Sequence, residues 1–110
     1  MKKGEECMNT CVIVGKILRK PEFISSVQGS DAYLIVESCR AYPESDGHYV
    51  KDRFKVVLWH GIAEECKAIC KEGDLIAIRG RVESLEKEEN EKYHYECKIV
   101  AEHVSLPACF

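Results

Sequence analysis

Hydrophobic and polar positions alternate most regularly from Asp52 to Trp59. Successive side chains of an extended chain leave on opposite faces, so this alternation predicts a strand. Phe54, Val56 and Leu58 share one face, which belongs in a core, while Arg53, Lys55, Val57 and Trp59 share the other. The period then lengthens. Ile62, Cys66, Ile69 and Cys70 fall at helical spacing and make one apolar stripe, with Glu64, Glu65, Lys67 and Lys71 toward water. Gly73 ends this short helix, because the position after a last turn often needs a positive φ that glycine adopts without penalty. Leu75 to Val82 is rich in branched residues and predicts the next strand.

The remaining segments follow from the same patterns. Residues 1–7 form a polar leader without periodicity, expected to fray, and residues 107–110 a short tail around a domain at 8–106. Asn9 to Leu18 predicts the first strand, apolar on both faces, which implies a core on one side and a closed barrel or a subunit partner on the other. Gly15 in its middle marks a bend or a close backbone approach. Arg19 to Glu22 should break that strand at Pro21, which has no amide to donate to a ladder. Ser25 to Asp31 reads as a polar connection and Ala32 to Arg40 as the second strand. Tyr42 to Gly47 has the proline, aspartate and glycine of a hairpin turn. Glu83 to Lys92 reads as an extended hairpin tip, and Tyr93 to Val100 as a last alternating strand that runs on toward Pro107. The fold class is therefore all-β: five strands with one short helix between the third and fourth, the order of the Greek-key barrel called the OB-fold.

Composition narrows the class of function. At 110 residues the chain is one domain, and 32% charged with 45% hydrophobic residues reads as soluble and globular. No apolar run approaches the roughly 20 residues that span a bilayer. MKKGEEC is followed by no hydrophobic segment, so a secretory signal is not expected and a cytoplasmic location is. The net charge of −3 is uneven: residues 83–102 hold seven acids against three lysines, and the rest of the chain is +1, which leaves room for a local basic surface. The seven cysteines contain no C-x-x-C pair and match no zinc-site spacing, so they read as small hydrophobes. Cys66 and Cys70 stand one helical turn apart, but two thiolates need further ligands that the sequence does not bring near, so neither metal nor cofactor is expected. The four histidines suggest no triad, and the acids at Glu86, Glu88, Glu89 and Glu91 read as a solvated tip. No phosphate-binding loop or dinucleotide fingerprint is present, and no enzyme is expected.

The chemistry that stands out is cationic and aromatic. Arg53 and Lys55 lie in register with Trp59, the only tryptophan, a combination suited to a partner with negative charge and flat rings. Arg40 at the end of the second strand and Arg79 and Arg81 on the fourth add cations, and Tyr33 and Tyr93 add rings at the margin. Each has a plainer reading: Trp59 packed in a subunit interface or against the hairpin, the cations on a solvated strand face, the tyrosines packed. If these five cations each neutralise a phosphate, log affinity should fall with log salt no more steeply than roughly −3.5, at about −0.7 per phosphate.

Three segments resemble bacterial single-stranded DNA-binding proteins. Met8 to Glu22, MNTCVIVGKILRKPE, resembles the family's opening strand with its glycine, basic residue and closing P-E. Val56 to Trp59 followed by Ile62-Ala63-Glu64 resembles its third strand and helix start, and KEGDLIAIRGRV from Lys71 to Val82 its K-x-G-D strand. The likeness covers about Met8 to Leu106. It implies sequence-tolerant binding of single-stranded DNA by a homo-oligomer, tetramer or dimer, with the first strand at a subunit contact, in replication, recombination or repair beside other replication or recombination proteins. By position, Trp59 falls on a stacking aromatic, while Arg53 and Arg40 fall where the family has others. The hairpin at 85–92 is acidic where the family tends to be basic and aromatic, and Leu106-Pro107-Ala108-Cys109-Phe110 lacks the acidic tail. Those departures suit an alternative, an OB-fold protein-interaction module such as a primosomal accessory protein.

Overall fold

The computed structural model describes residues 7–26 and 29–106, and their side chains other than those of 20–26, 29–31 and 60. The expected tail at 107–110 and the expected leader, apart from Cys7, lie outside the described residues. The chain runs β1 (Cys11–Ser26), β2 (Gly29–Cys39), β3 (Lys51–Leu58), α1 (His60–Ile69), β4 (Leu75–Glu89) and β5 (Lys92–Ser105). The strands close into a barrel in the order β1-β2-β3-β5-β4, with β3 and β5 parallel and the other neighbours antiparallel. With its single helix between β3 and β4, this is the OB-fold expected from the element order.

The alternation of β3 is realised in its burial. Val56 and Leu58 are fully buried, joined by Leu34 and Val36 of β2, Ile17 of β1 and Ile76 and Ile78 of β4, with Phe54 packed at the edge. Helix α1 plugs one barrel end with Ile62, Ala63, Cys66 and Cys70. Ile69, expected on that stripe, is instead 48% exposed, and Ala63 takes its place in the core. A small residue lets the helix approach the barrel closely, which leaves the edge of the stripe outside. Burial pushes the Cys66 thiol up to about 12, so it stays protonated and packs as an apolar group. Cys39 and Cys97 depart from the expectation for the cysteines, since both are exposed. Gly73, expected to end the helix, does not: α1 stops at Ile69 with Cys70 already extended, and the φ of +91° at Gly73 belongs to the turn from Lys71 to Asp74 that leads into β4.

Two predicted boundaries move. The first strand does not stop at Pro21. It continues to Ser26, and the pairing with β2 shifts register between Ile17 and Arg19 and again between Arg19 and Glu22, so that residue 21 falls within a bulge where no ladder amide is required. The segment read as a polar connection is thereby mostly strand, with Ser25 opposite Ser30 and Ser26 opposite Gly29. At the other end, the acidic stretch is not a tip but two strands: β4 and β5 pair as far as Glu89 and Lys92. The turn is only Asn90-Glu91, both at positive φ, 51° and 63°, the geometry of a tight two-residue hairpin. From Ser84 to Cys97 this pair touches neither β3 nor β1 in register and stands as a free ribbon. At the start of β1, Asn9 precedes the strand, yet its side chain extends the ladder: Nδ2 donates to Val82 O at 2.6 Å and Oδ1 accepts from Val82 N at 3.0 Å.

Barrel closure depends on close backbone approach at Gly15 and Gly80. A Cβ at Gly15 would overlap the carbonyl oxygen of Glu37, which accounts for the mid-strand glycine. A Cβ at Gly80 would overlap the Val100 carbonyl oxygen and stand 3.2 Å from Ala101 Cα, both backbone atoms that cannot swing aside. Gly80→Ala is therefore expected to lower the unfolding free energy by about 1–3 kcal/mol, read by urea denaturation. An unchanged midpoint would contradict this packing of β4 on β5.

Candidate nucleic-acid interface

The sheet's outer face is set by the same alternation that builds the core. Opposite Val56 and Leu58, the outward positions of β3 are Arg53, Lys55 and Val57, and register places Glu37, Ile35 and Tyr33 of β2 beside them. Val100 of β5 pairs with Val57 on one side and with Arg81 of β4 on the other. One row across four strands thus runs Tyr33, Val57, Val100, Arg81, with Val100 buried within it.

Trp59 sits just past the end of β3, as the residue preceding the first turn of α1. Its carbonyl accepts the Ala63 N–H at 2.8 Å, which ties its backbone to the helix. The side chain is 51% exposed, neither sealed in the barrel nor fully free. It lines a groove of about 350 Å³ with Ile62, Glu65, Cys66 and Ile69 of α1 and Glu102, His103 and Val104 of β5. Trp59 is therefore turned toward the helix and the end of β5. Arg53 lies six residues away along the chain, about 20 Å at strand spacing.

The cations expected to form one groove are distributed in separate groups, most of them occupied. Arg40 makes a bidentate pair with Asp52, Nε to Oδ2 at 3.0 Å and Nη2 to Oδ1 at 3.1 Å. That hydrogen bonding raises the Arg40 pKa and holds the Asp52 carboxyl below its ordinary value. Arg53 Nε donates to Glu37 Oε2 at 3.1 Å, and Lys51 approaches the other oxygen of that carboxylate at 3.8 Å. Arg81 is held twice, by Glu83 at 2.9 Å from Nε and by Glu102 at 2.9 Å from Nη1. Its donation keeps the Glu83 carboxyl below the usual range, with Lys98 a weaker second neighbour at 3.6 Å. Lys55 lies over Tyr33, its Nζ 4.4 Å from the ring centroid. Arg79 faces His103 across the β4–β5 ladder and is exposed, with no carboxylate in salt-bridge range among the described residues.

Tyr93 stands apart from these. It is 57% exposed on the β4–β5 ribbon, opposite Glu88, seven residues from Val100. Tyr95 shares its face opposite Glu86 and is as exposed, so the ribbon presents two rings beside two carboxylates. Tyr95 was legible as a partner of Tyr93 from their shared parity. Glu102 and His103 had no such signal, because only barrel closure brings the end of β5 beside Trp59.

Comparison with known proteins bears on the family and the fold. The family model described as "Single-strand binding protein family" matches residues 8–107. Single-stranded DNA-binding protein 3 of Listeria innocua is 31% identical over 101 residues, covering 90% of this chain and 63% of that protein. Single-stranded DNA-binding protein B of Bacillus subtilis is 24% identical over 98 residues, 87% of each chain. The chain thus spans less than two thirds of the length of the Listeria relative. Among solved structures, the small single-stranded DNA-binding protein of Streptomyces coelicolor superposes with a TM-score of 0.64 at 15% identity, covering 90% of this chain and 94% of that one. The Plasmodium falciparum protein in complex with single-stranded DNA superposes with a TM-score of 0.70 at 13% identity, covering 94% and 96%. At such identities the superpositions show the shared fold.

Proposed function

This chain belongs to the single-strand binding protein family, and from that premise we propose that it binds single-stranded DNA without sequence preference, one base stacking on Trp59. The observation that carries this reading is the half-exposed indole of the only tryptophan, on a backbone fixed between a strand end and a helix start. An aromatic face that water reaches, held in place by its own main chain, is a stacking platform available to any base. Lys55 with Tyr33, and Arg79, are the groups suited to take phosphates around it. Arg40, Arg53 and Arg81 meet phosphate only by exchanging carboxylates they already hold. Binding is thus dominated by stacking, with a small electrostatic contribution.

The experiment is a titration with oligo(dT) at low salt, following Trp59 fluorescence. Quenching that saturates supports the reading; unchanged emission removes it and leaves a protein-interaction module. A homo-oligomer belongs to the same proposal. Val12 and Val14 point out of the barrel, 67% and 52% exposed, with Arg79 of β4 opposite Val12 and Ala77 opposite Val14, and a second copy covering Val12, Val14 and Ala77 while leaving Arg79 to solvent accounts for a first strand that is hydrophobic on both faces. A monomeric mass in sedimentation equilibrium would contradict it. A cytoplasmic role in DNA replication, recombination or repair follows from such binding, and no helix among the described residues is long and apolar enough to cross a membrane.

A further inference from the structure

We infer that Gly61 is a positioning residue for the Trp59 platform: it leaves the space that the indole occupies and so fixes which part of the ring a base can reach. The proposal rests on the stacking role given to Trp59 above. Gly61 is the second residue of α1, where a glycine is a poor helix former and no positive φ requires it. Its reason is steric. A Cβ built at Gly61 would overlap Cζ3 of Trp59, and would stand 2.8 Å from Cη2 and 3.2 Å from Cε3. The six-membered ring therefore lies against the bare backbone of the helix start. Trp59 cannot yield by moving its main chain, because its carbonyl accepts from Ala63, which is fully buried. Any side chain at 61 must rotate the indole instead.

Two consequences follow for binding. The contact with Gly61 closes the Cε3, Cζ3 and Cη2 side of the ring, so a base reaches the remainder. The same contact orders the ring before DNA arrives, and a platform already ordered loses less rotamer freedom on binding.

Gly61→Ala tests this, with Trp59→Ala as the reference for the stacking role itself. Alanine is the better helix former, so the thermal midpoint of Gly61→Ala is expected to hold or rise, which separates a positioning effect from damage to the fold. In the free protein, acrylamide quenching and near-ultraviolet dichroism of the lone tryptophan should change, since the ring is displaced. Affinity for oligo(dT) should fall about fivefold or more, with the salt slope unaltered because no phosphate contact is lost. Unchanged quenching and dichroism in the free variant overturn the proposal whatever the DNA result. Displaced signals with wild-type affinity overturn it as well, and if Trp59→Ala loses affinity in the same series, stacking survives without a role for Gly61. If Trp59→Ala binds like the parent, the stacking reading itself has failed and the positioning role falls with it.

Discussion

Replacing Trp59 with alanine is expected to weaken binding of oligo(dT) by about 1–3 kcal/mol, or about 5- to 150-fold. The size of the effect comes from the loss of the only tryptophan and from what surrounds it. Among the described residues, the one other ring lining its groove is the smaller imidazole of His103; the remaining lining groups are aliphatic, thiol and carboxylate. Tyr33 is half-buried beneath Lys55, and Tyr93 and Tyr95 stand on the ribbon beside Glu88 and Glu86, where a phosphate would meet like charge. Removal of the indole should therefore not be compensated. Fluorescence anisotropy of a labelled oligonucleotide measures the change, since Trp59 itself is absent from the variant. Affinity within twofold of the parent would show that bases stack elsewhere.

The second large effect runs in the opposite direction. Converting Glu37, Asp52, Glu83 and Glu102 to their amides releases Arg40, Arg53 and Arg81 from the pairs that hold them. At about −0.7 in log–log slope per neutralised phosphate, two available cations give the parent a slope of about −1.4, and five give the variant about −3.5. Over one decade of falling salt the parent should gain about 25-fold in affinity and the variant about 3,000-fold. Mild acid does not substitute for the mutations at Asp52 and Glu83. The arginines keep these two carboxyls below their ordinary values, so the pairs of Arg40 with Asp52 and of Arg81 with Glu83 persist at pH 5. By the same sign, whatever stability these pairs contribute is present above the ordinary carboxylate pKa and is lost only as pH falls through the lowered values. Equal salt slopes for parent and variant would mean that these guanidinium groups do not meet the backbone of the nucleic acid.

The fold was legible where local pattern and burial coincide. Strict alternation marked β3 and helical spacing marked α1, each because the side chains concerned enter one core. Pattern failed where pairing is held by the partner strand instead. From Ser84 to Glu89 no side chain is buried, so this stretch reads as the tip of a hairpin, yet cross-strand pairs such as Lys87 with Glu96 at 3.1 Å and the turn at Asn90-Glu91 make it strand. Residue 21 misled because a bulge removes the need for an amide that proline lacks.

The site was legible in part for the same reason. A lone tryptophan at the end of a cationic strand face stands out in any reading of the chain. What neutralises the cations does not, because Arg40 and Asp52 are 12 residues apart, Arg53 and Glu37 are 16 apart, and Arg81 and Glu102 are 21 apart. Only the register of β2 on β3 and of β4 on β5 brings each carboxylate to its arginine. A surface that the sequence suggests is a groove of five cations is, once folded, a half-exposed tryptophan and separate cations, of which Lys55 and Arg79 hold no carboxylate among the described residues.

The salt dependence of oligo(dT) binding by the unmodified protein, followed through Trp59 quenching, tests that conclusion most directly. The geometry predicts saturable quenching at low salt and a log–log slope no steeper than about −1.4 for each domain. A slope near −3.5 would mean that the arginines abandon their carboxylates for phosphate, and an absence of quenching at low salt would mean that Trp59 meets no base at all.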